Sequence, residues 1–267
     1  MTGVFINSLP KSGTNLVSRA FDLAGYSYGK LGIASSLLIG NHYLLRQLLR
    51  RSFFERDPLI VGLEVQVPLR RNWLRSRLGR LSDRTYVTGH ANHSAGLASI
   101  LREHDIRTVQ VIRDPRDAIV SHAHYVKKSS DHFLHPAFAA LPLWDRITMI
   151  LDGGRLNGFD VAPYTTALAR ADGWIGQADV FVVRFEQIVG AAGGGSDDRQ
   201  SATFRDLGAF LGRPFDLANI QANLFGTSHT FRRGMVSAAR HELTAAQFEI
   251  LNFRLGNFCT KWGYHAG

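Results

Sequence analysis

Residues 9–15 read Leu-Pro-Lys-Ser-Gly-Thr-Asn and follow a short apolar segment, residues 4–6, which is predicted to be a strand. The residues after them are apolar at three- and four-residue steps, which predicts an amphipathic helix: Leu16, Val17, Ala20, Phe21 and Ala24. Gly13 lets the backbone approach an anion closely, and the first amides of a helix present the positive end of its dipole. Lys11 adds a full positive charge. The sequence therefore predicts an anion-binding turn between a strand and a helix.

This turn differs from the loop that binds nucleoside triphosphates in Walker-type proteins. That loop reads G-x-x-x-x-G-K-[ST], with its lysine after the second glycine. Here Lys11 precedes Gly13 and the loop is shorter, so a nucleoside triphosphate site is disfavoured. Taken alone, the turn is equally compatible with an ordinary strand-to-helix connection that carries a solvated lysine.

The size and charge of the chain limit the classes of fold and ligand that are compatible with it. It has 267 residues, of which 45% are hydrophobic, and this is enough for a substantial core. We expect one α/β domain over residues 1–267. The 31 basic and 22 acidic residues give a formal charge of +9. Such an excess suits an anionic ligand, an acidic surface or nucleic acid, and does not choose among them.

Cysteine content and hydropathy suggest a compartment. Cys259 is the only cysteine, so an intrachain disulfide is impossible and a cysteine-based metal site is disfavoured. The first predicted strand leaves no room for a signal peptide, and the longest apolar stretch, residues 31–40, is too short to span a bilayer. We expect a soluble cytoplasmic protein with no transmembrane segment and no metal.

Predicted strands alternate with predicted helices along the chain. The strands lie at residues 4–6, 59–67, 85–89, 108–112 and 179–185, and further helices begin near Asn41, residue 94, Asp114 and Thr244. This order predicts an α/β fold of three layers, with a mostly parallel central sheet flanked by helices. Ligands of such sheets bind beyond the carboxyl ends of the strands. Because Lys11, His90 and Arg113 each follow a predicted strand, we expect them to converge on one crevice.

Two further segments stand out by composition. Residues 70–84 contain six arginines and one acidic residue, Asp83. They predict either a solvated basic face or a groove for an anionic acceptor or lipid headgroup. Residues 190–201 contain three consecutive glycines and are predicted to form a flexible surface loop.

Three motifs resemble those of the PAPS-dependent sulfotransferases, where PAPS is 3′-phosphoadenosine 5′-phosphosulfate. Residues 9–15 resemble the P-K-S-G-T-T loop that binds the 5′-phosphosulfate. Residues 111–121, Val-Ile-Arg-Asp-Pro-Arg-Asp-Ala-Ile-Val-Ser, resemble the second signature, R-[ND]-P-[KR]-D and a helical serine. Residues 231–234, Phe-Arg-Arg-Gly, look like the C-terminal F-R-K-G, and residues 182–186 are similar to a late strand of the family. The matched elements span nearly the whole chain in the family's order.

The resemblance implies a P-loop-like PAPS-binding fold and a set of functional residues. It implies PAPS as co-substrate, with 3′-phosphoadenosine 5′-phosphate (PAP) as product, and no metal. The catalytic residues would be Lys11 and His90, and the PAPS-binding residues would be Lys11, Ser12, Gly13, Thr14, Asn15, Arg113, Ser121, Arg232, Arg233 and Gly234.

This chain departs from the family pattern in several places. Asn15 replaces a second threonine, Phe185 replaces a tyrosine, and residues 235–240 lack the usual tryptophan-containing continuation. The catalytic histidine normally stands in Thr-His-Leu-Pro, whereas residues 88–93 read Thr-Gly-His-Ala-Asn-His. We prefer His90 as the base because of its position directly after a predicted strand. The ordinary pKa of a histidine, near 6.5, suits proton abstraction from a hydroxyl at neutral pH. The rival histidines are His93, His122 and His124.

Other readings of the sequence stay open. One is a nucleotide-dependent phosphotransferase, which would bind ATP and Mg²⁺, and another is a non-enzymatic module that binds nucleic acid or anionic lipid. We favour sulfuryl transfer to a hydroxyl or amine, with a carbohydrate, a glycolipid or a small alcohol as acceptor and no nucleic acid partner. The acceptor would be set by residues 27–84 and 126–175, which vary with the acceptor in the family. The sequence neither requires nor excludes a homodimer.

Overall fold

The computed structural model describes residues 3–35, 39, 57–225 and 236–264. The strands are β1 (Gly3–Ser8), β2 (Ser27–Ile33), β3 (Leu59–Val61), β4 (Val67–Leu69), β5 (Thr85–Gly89), β6 (Ile106–Ile112), β7 (Gly154–Leu156), β8 (Phe159–Val161) and β9 (Val180–Arg184). The helices are α1 (Thr14–Leu23), α2 (Arg71–Leu78), α3 (Ala95–Glu103), α4 (Pro115–Lys128), α5 (His135–Phe138), α6 (Leu143–Asp152), α7 (Tyr164–Asp172), α8 (Phe185–Ile188), α9 (Asp197–Leu211), α10 (Leu217–Asn223), α11 (Ala238–Glu242) and α12 (Ala245–Lys261).

Five strands form a parallel sheet in the order β2-β5-β1-β6-β9. The strand β1 is central, and all six of its residues are buried. Its side chains alternate between two cores: Val4 and Ile6 pack with Val17 of α1, whereas Phe5 belongs to the core that contains Trp174. Helices therefore cover both faces of the sheet, and the predicted three-layer α/β fold is confirmed.

The strand register brings the ends of the central strands level. Asn7 of β1 lies beside Gly89 of β5 and beside Gln110 of β6. The segments that follow these strands therefore leave the same edge of the sheet, where ligands of parallel sheets bind.

Two of the helices have clear starting signals. Helix α4 begins with Pro115 after Asp114, whose carboxylate accepts a hydrogen bond from the amide of Arg116. Helix α12, predicted to begin near Thr244, starts with a capping box in which the side chains of Thr244 and Gln247 each bond the backbone amide of the other. None of the helices within the described residues is long and apolar enough to cross a membrane.

Several predictions of local structure need correction. The strand predicted over residues 59–67 is a hairpin of β3 and β4, because the chain turns at Gly62, where φ is 125° and only glycine fits. The loop predicted over residues 190–201 is shorter, since a 3-10 turn occupies Ala191–Gly193 and Ser196 caps α9. Strand β2 was not predicted, and the helix predicted from Asn41 lies outside the described residues.

The arginine-rich segment, residues 70–84, contains α2. Arg75 pairs with Glu103 of α3 at 2.8 Å, and Arg71 pairs with Asp57 at 3.2 Å. None of the residues 70–84 lines the cavity described below. These pairs favour the interpretation of a solvated basic face.

Candidate active site

A cavity of about 250 Å³ opens at the carboxyl ends of the central strands. Its wall contains most of the described residues that the sequence singles out: Lys11, Gly13, Thr14, Asn15, His90, Arg113 and Ser121. Ser12 is fully buried and is not part of the wall. The topology therefore brings the turn after β1, the segment after β5 and the start of α4 together, as their positions after strands require.

The turn before α1 presents an open helix terminus to this cavity. Gly13 is the N-cap at φ 110°, with no side-chain cap and no acidic residue in the first turn. Within the described part of the chain, the amides of Gly13 and Thr14 have no hydrogen-bond acceptor, and neither has the buried hydroxyl of Ser12. The Thr14 hydroxyl, in contrast, is hydrogen-bonded to that of Ser8. Such a terminus binds anions through its amides and its dipole.

Gly13 is required at this position by its surroundings. A Cβ atom there would lie 2.8 Å from Cδ2 of Phe185, and the positive φ is one that side chains rarely adopt. Phe185 therefore closes the back of the turn where the family pattern has a tyrosine.

Lys11 is partly buried in the cavity wall. Burial first, and then the neighbouring charge of Arg113, lower the pKa of Lys11 from 10.5 to about 8. Its Nζ lies 4.4 Å from the centre of the Tyr125 ring, a cation–π contact. A bound anion would return the pKa of Lys11 towards its ordinary value.

His90 is held in one orientation and one tautomer. Its Nδ1 donates a hydrogen bond of 2.8 Å to the carbonyl oxygen of Ser8, so Nε2 carries the lone pair. Desolvation lowers the pKa of His90 below 6.5, despite the opposing effect of the Ser8 carbonyl. The ring is therefore neutral at pH 7 and can accept a proton at Nε2.

The backbone around His90 is held in place by hydrogen bonds to neighbouring elements. The side chain of Asn7 accepts from the amide of Ala91 and donates to its carbonyl, at 2.8 and 2.9 Å. The indole of Trp174 donates to the same carbonyl at 2.8 Å. His90 itself donates from its amide to Ile33 of β2. These hydrogen bonds on both sides fix the position of His90 relative to the turn after β1.

Arg113 links the turn to α4. Its Nη1 donates to the carbonyl of Lys11 at 3.2 Å, and its guanidinium lies 4.3 Å from the centre of the Phe185 ring. Nη2 of Arg113 lies 3.9 Å from Oδ2 of Asp117. Ser121 follows on the same helix and also lines the cavity. A cation–π contact to Phe185 thus replaces any contact to a tyrosine hydroxyl.

The rival histidines are distributed differently. His93 packs edge-on against Trp174, and His124 bonds the carboxylate of Glu242 at 2.7 Å; neither lines the cavity. His122 does line it. The arrangement therefore leaves His90 and His122 as the histidines of that set that face the cavity.

Three titratable residues of the wall were not found from the sequence: Glu64, Tyr125 and His132. Glu64 is the one acidic residue in an otherwise apolar stretch, residues 59–65, and this interruption is a signal that could have identified it. Tyr125 lies one helical turn after Ser121, so the spacing of α4 could have placed it. Nothing in the sequence pattern marks His132.

Arg232, Arg233 and Gly234 lie outside the described residues. The chain that follows them is anchored to α4, because the carboxylate of Asp117 accepts from the amides of Ser237 and Ala239 at 2.7 and 2.8 Å. Ala238, the first residue of α11, lines the cavity.

Residues 1–147 match the family model described as the sulfotransferase domain. The chain belongs to the sulfotransferase family. The predicted family and enzyme class, the PAPS-dependent sulfotransferases, are therefore confirmed.

Similar solved structures support the fold. A mouse sulfotransferase, SULT7A1, complexed with PAP is 13% identical, with a TM-score of 0.61 over 97% of this chain and 85% of that one. A retinol dehydratase in a complex with retinol and PAP is 14% identical, with a TM-score of 0.58 over 96% of this chain and 81% of that one. No curated protein sequence matches this chain significantly.

No group of three or more His, Cys, Asp and Glu side chains that could hold a metal ion is found among the residues that the structure describes. The metal-free reaction stays a prediction.

Proposed function

We propose that this sulfotransferase moves the sulfuryl group from PAPS to a hydroxyl or amine of a small acceptor. The observation that carries the proposal is that one cavity contains the open N-terminus of α1, the Lys11 ammonium and a neutral His90 with Nε2 available. The two similar structures are complexes with PAP, and this supports PAP as the product here.

The donor would be bound at two anionic groups. Lys11, the amides of Gly13 and Thr14, and the Ser12 hydroxyl would contact the 5′-phosphosulfate, with Asn15 beside them. By the resemblance of residues 111–121 to the second signature of the family, the guanidinium of Arg113 and the hydroxyl of Ser121 would contact the 3′-phosphate, and both residues line the same cavity as the turn. Arg232, Arg233 and Gly234 are predicted to close on the same phosphate.

The chemistry would be an in-line displacement at sulfur. The acceptor oxygen forms a bond to sulfur while its proton passes to Nε2 of His90. The bond between sulfur and the bridging oxygen breaks, and its electron pair leaves with PAP. Lys11 and the helix amides stabilise the charge that develops on that oxygen. The neutral state of His90 at pH 7 supports its role as the base.

Binding of PAP tests the donor site without knowledge of the acceptor. In calorimetric titrations we expect PAP to bind at least about tenfold more tightly than adenosine 5′-monophosphate, because only PAP carries the 3′-phosphate that Arg113 would contact. Arg113→Ala should reduce this preference, and Arg155→Ala, an exposed arginine paired with Asp160, should leave it unchanged. Equal affinities for the two nucleotides would contradict the proposal.

A thermal-shift screen separates the alternative functions. PAP should raise the melting temperature, whereas ATP with Mg²⁺ should raise it less. A larger shift with ATP and Mg²⁺ would favour a phosphotransferase, and salt-sensitive binding of polyanions without PAP binding would favour a non-enzymatic module. The single domain over residues 1–267, the cytoplasmic location and the absence of nucleic acid partners stay predictions.

A further inference from the structure

Besides the anion-binding turn, the cavity wall contains a buried acid and a buried histidine. Glu64 is 8% exposed and His122 is 1% exposed, and both line the cavity. Oε1 of Glu64 lies 3.0 Å from Nδ1 of His122. Neither residue belongs to the donor-binding motifs, so the proposed binding of PAPS leaves this pair unused.

The hydrogen-bonding capacity of His122 is not filled by the residues that the structure describes. Nδ1 of His122 approaches Glu64 without the alignment of a hydrogen bond, and both ring nitrogens of His122 have no hydrogen-bond partner among the described residues. A buried polar group without a partner costs about 1–3 kcal/mol. A polar pair of this kind at a cavity wall points to a bound group that completes it.

Glu64 carries a charge in this environment. Burial raises the pKa of its carboxyl, but the nearby His122 outweighs burial and lowers the pKa below its ordinary value. Glu64 is therefore ionised at neutral pH. Because burying an ionised carboxylate is costly unless it is well paired, a hydrogen-bond donor from a ligand would be strongly favoured there.

Aromatic rings flank the pair. His132 stacks on Phe133 with ring centres 4.6 Å apart and meets Tyr125 edge-on at 5.7 Å. Nδ1 of His132 accepts from the amide of Leu134, and burial, followed by the charge of His122, lowers the pKa of His132 to about 3. The ring is therefore neutral, and this side of the wall offers flat apolar surface.

We propose that Glu64 and His122 form an acceptor-binding subsite for a second hydrogen-bond donor, either a hydroxyl or an ammonium group. The acceptor would be a compact ring compound with the hydroxyl to be sulfated on one side and this second donor on the other, and its ring would pack against Tyr125 and Phe133. Glu64 is thus a specificity-determining residue, and an alcohol with a single hydroxyl is a poor acceptor. This inference rests on the proposed function.

Three small ring probes test the subsite by calorimetry and ligand-observed NMR on the PAP-bound protein. These are p-cresol, with one hydroxyl, hydroquinone, with a second hydroxyl, and tyramine, with an ammonium group. We expect hydroquinone or tyramine to bind about tenfold more tightly than p-cresol, because a hydrogen bond to a charged group favours binding by about that factor. The tighter of the two distinguishes a hydroxyl donor from an ammonium donor.

The variant Glu64→Gln keeps the shape of the side chain and removes its charge. It should lose most of this preference while its PAP affinity and melting temperature stay close to those of the wild type. Glu103→Gln is the matched control, since Glu103 pairs with Arg75 away from the cavity, and it should keep the preference.

Several results would overturn the subsite. They are equal binding of the three probes, no binding of any probe to the PAP-bound wild type, or an unchanged preference in Glu64→Gln. If Glu64→Gln does not fold, the comparison of the three probes on the wild type decides alone. Failure of PAP itself to bind would refute the proposed function and the subsite with it, whereas normal PAP binding without discrimination among probes would refute the subsite only.

Discussion

Lys11 is the residue whose environment most directly links structure to ligand binding. Its pKa of about 8 means that the free protein loses this charge as the pH rises through 8, well below the ordinary value of 10.5. A bound anion favours the charged form, so above pH 8 PAP binding must be accompanied by proton uptake. The phosphates of PAP are already fully ionised in this range.

We therefore expect PAP affinity to fall as the pH rises through about 8, by up to about tenfold per pH unit, and to be nearly constant from pH 7 to 8. Lys11→Arg should remove this dependence, because arginine stays charged. Calorimetry over a pH series, in buffers of different ionisation enthalpy, measures both the affinity and the protons taken up. If the affinity for PAP stayed constant until the pH approached 10.5, the ordinary pKa of lysine, this would contradict the environment described for Lys11.

His90 should control the acid side of the activity profile. Because desolvation lowers its pKa below 6.5, kcat/KM should fall with decreasing pH only below that value. His90→Ala should reduce kcat by about 10²- to 10⁴-fold and leave PAP affinity nearly unchanged. His93→Ala is the matched control, since His93 does not line the cavity. An equal loss in both variants would indicate a structural effect of histidine removal in place of proton transfer.

At the scale of elements, the start of α1 depends on Gly13. Gly13→Ala should destabilise the protein by about 1–3 kcal/mol for the positive φ and by about 1–3 kcal/mol more for the contact with Phe185, and should weaken PAP binding. Gly154→Ala is a matched control, because Gly154 has φ 108° and no atom within 4 Å of the added Cβ. Denaturant unfolding of the two variants separates the two effects. If Gly13→Ala and Gly154→Ala destabilised the protein equally, the ring of Phe185 would have moved away from the added Cβ without a loss of stability.

Asp117 joins α4 to α11. Asp117→Asn would turn an amide donor towards the amide of Ser237 or of Ala239, so we expect a loss of about 1–3 kcal/mol in the free energy of unfolding. Hydrogen exchange at the amides of Ser237 and Ala239 should increase with it. Asp160→Asn, at an exposed pair with Arg155, should change neither quantity. Unchanged exchange in Asp117→Asn would contradict the anchoring role of Asp117.

The strands that were predicted differ from the strand that was missed in how deeply they are buried and in whether local sequence or tertiary pairing determines them. Strands β1 and β6 are almost wholly buried, so their apolar runs are visible in the sequence. Strand β2 is an edge strand with exposed residues and two glycines in Ser-Tyr-Gly-Lys-Leu-Gly-Ile, and it is recruited by pairing with β5. The intrinsic propensity of these residues to form a strand is therefore low, and only the pairing with β5 identifies the strand.

At the scale of the whole molecule, topology assembles the site. Lys11, His90 and Arg113 lie far apart along the chain, and their position after parallel strands was enough to predict that they meet. Glu64 reaches the same cavity because the amide of Leu63 bonds the carbonyl of His90 at 3.0 Å. That contact joins the β3–β4 hairpin to the segment after β5, and no local pattern encodes it.

The central claim, sulfuryl transfer from PAPS, is tested most directly by incubating the protein with PAPS labelled in its sulfate and with a metabolite extract or the ring probes above. We predict a labelled product and free PAP with the wild type, and rates at least about 10²-fold lower with Lys11→Ala and with His90→Ala. Transfer at near wild-type rates in both variants, or no transfer to any acceptor by a protein that binds PAP, would contradict the account.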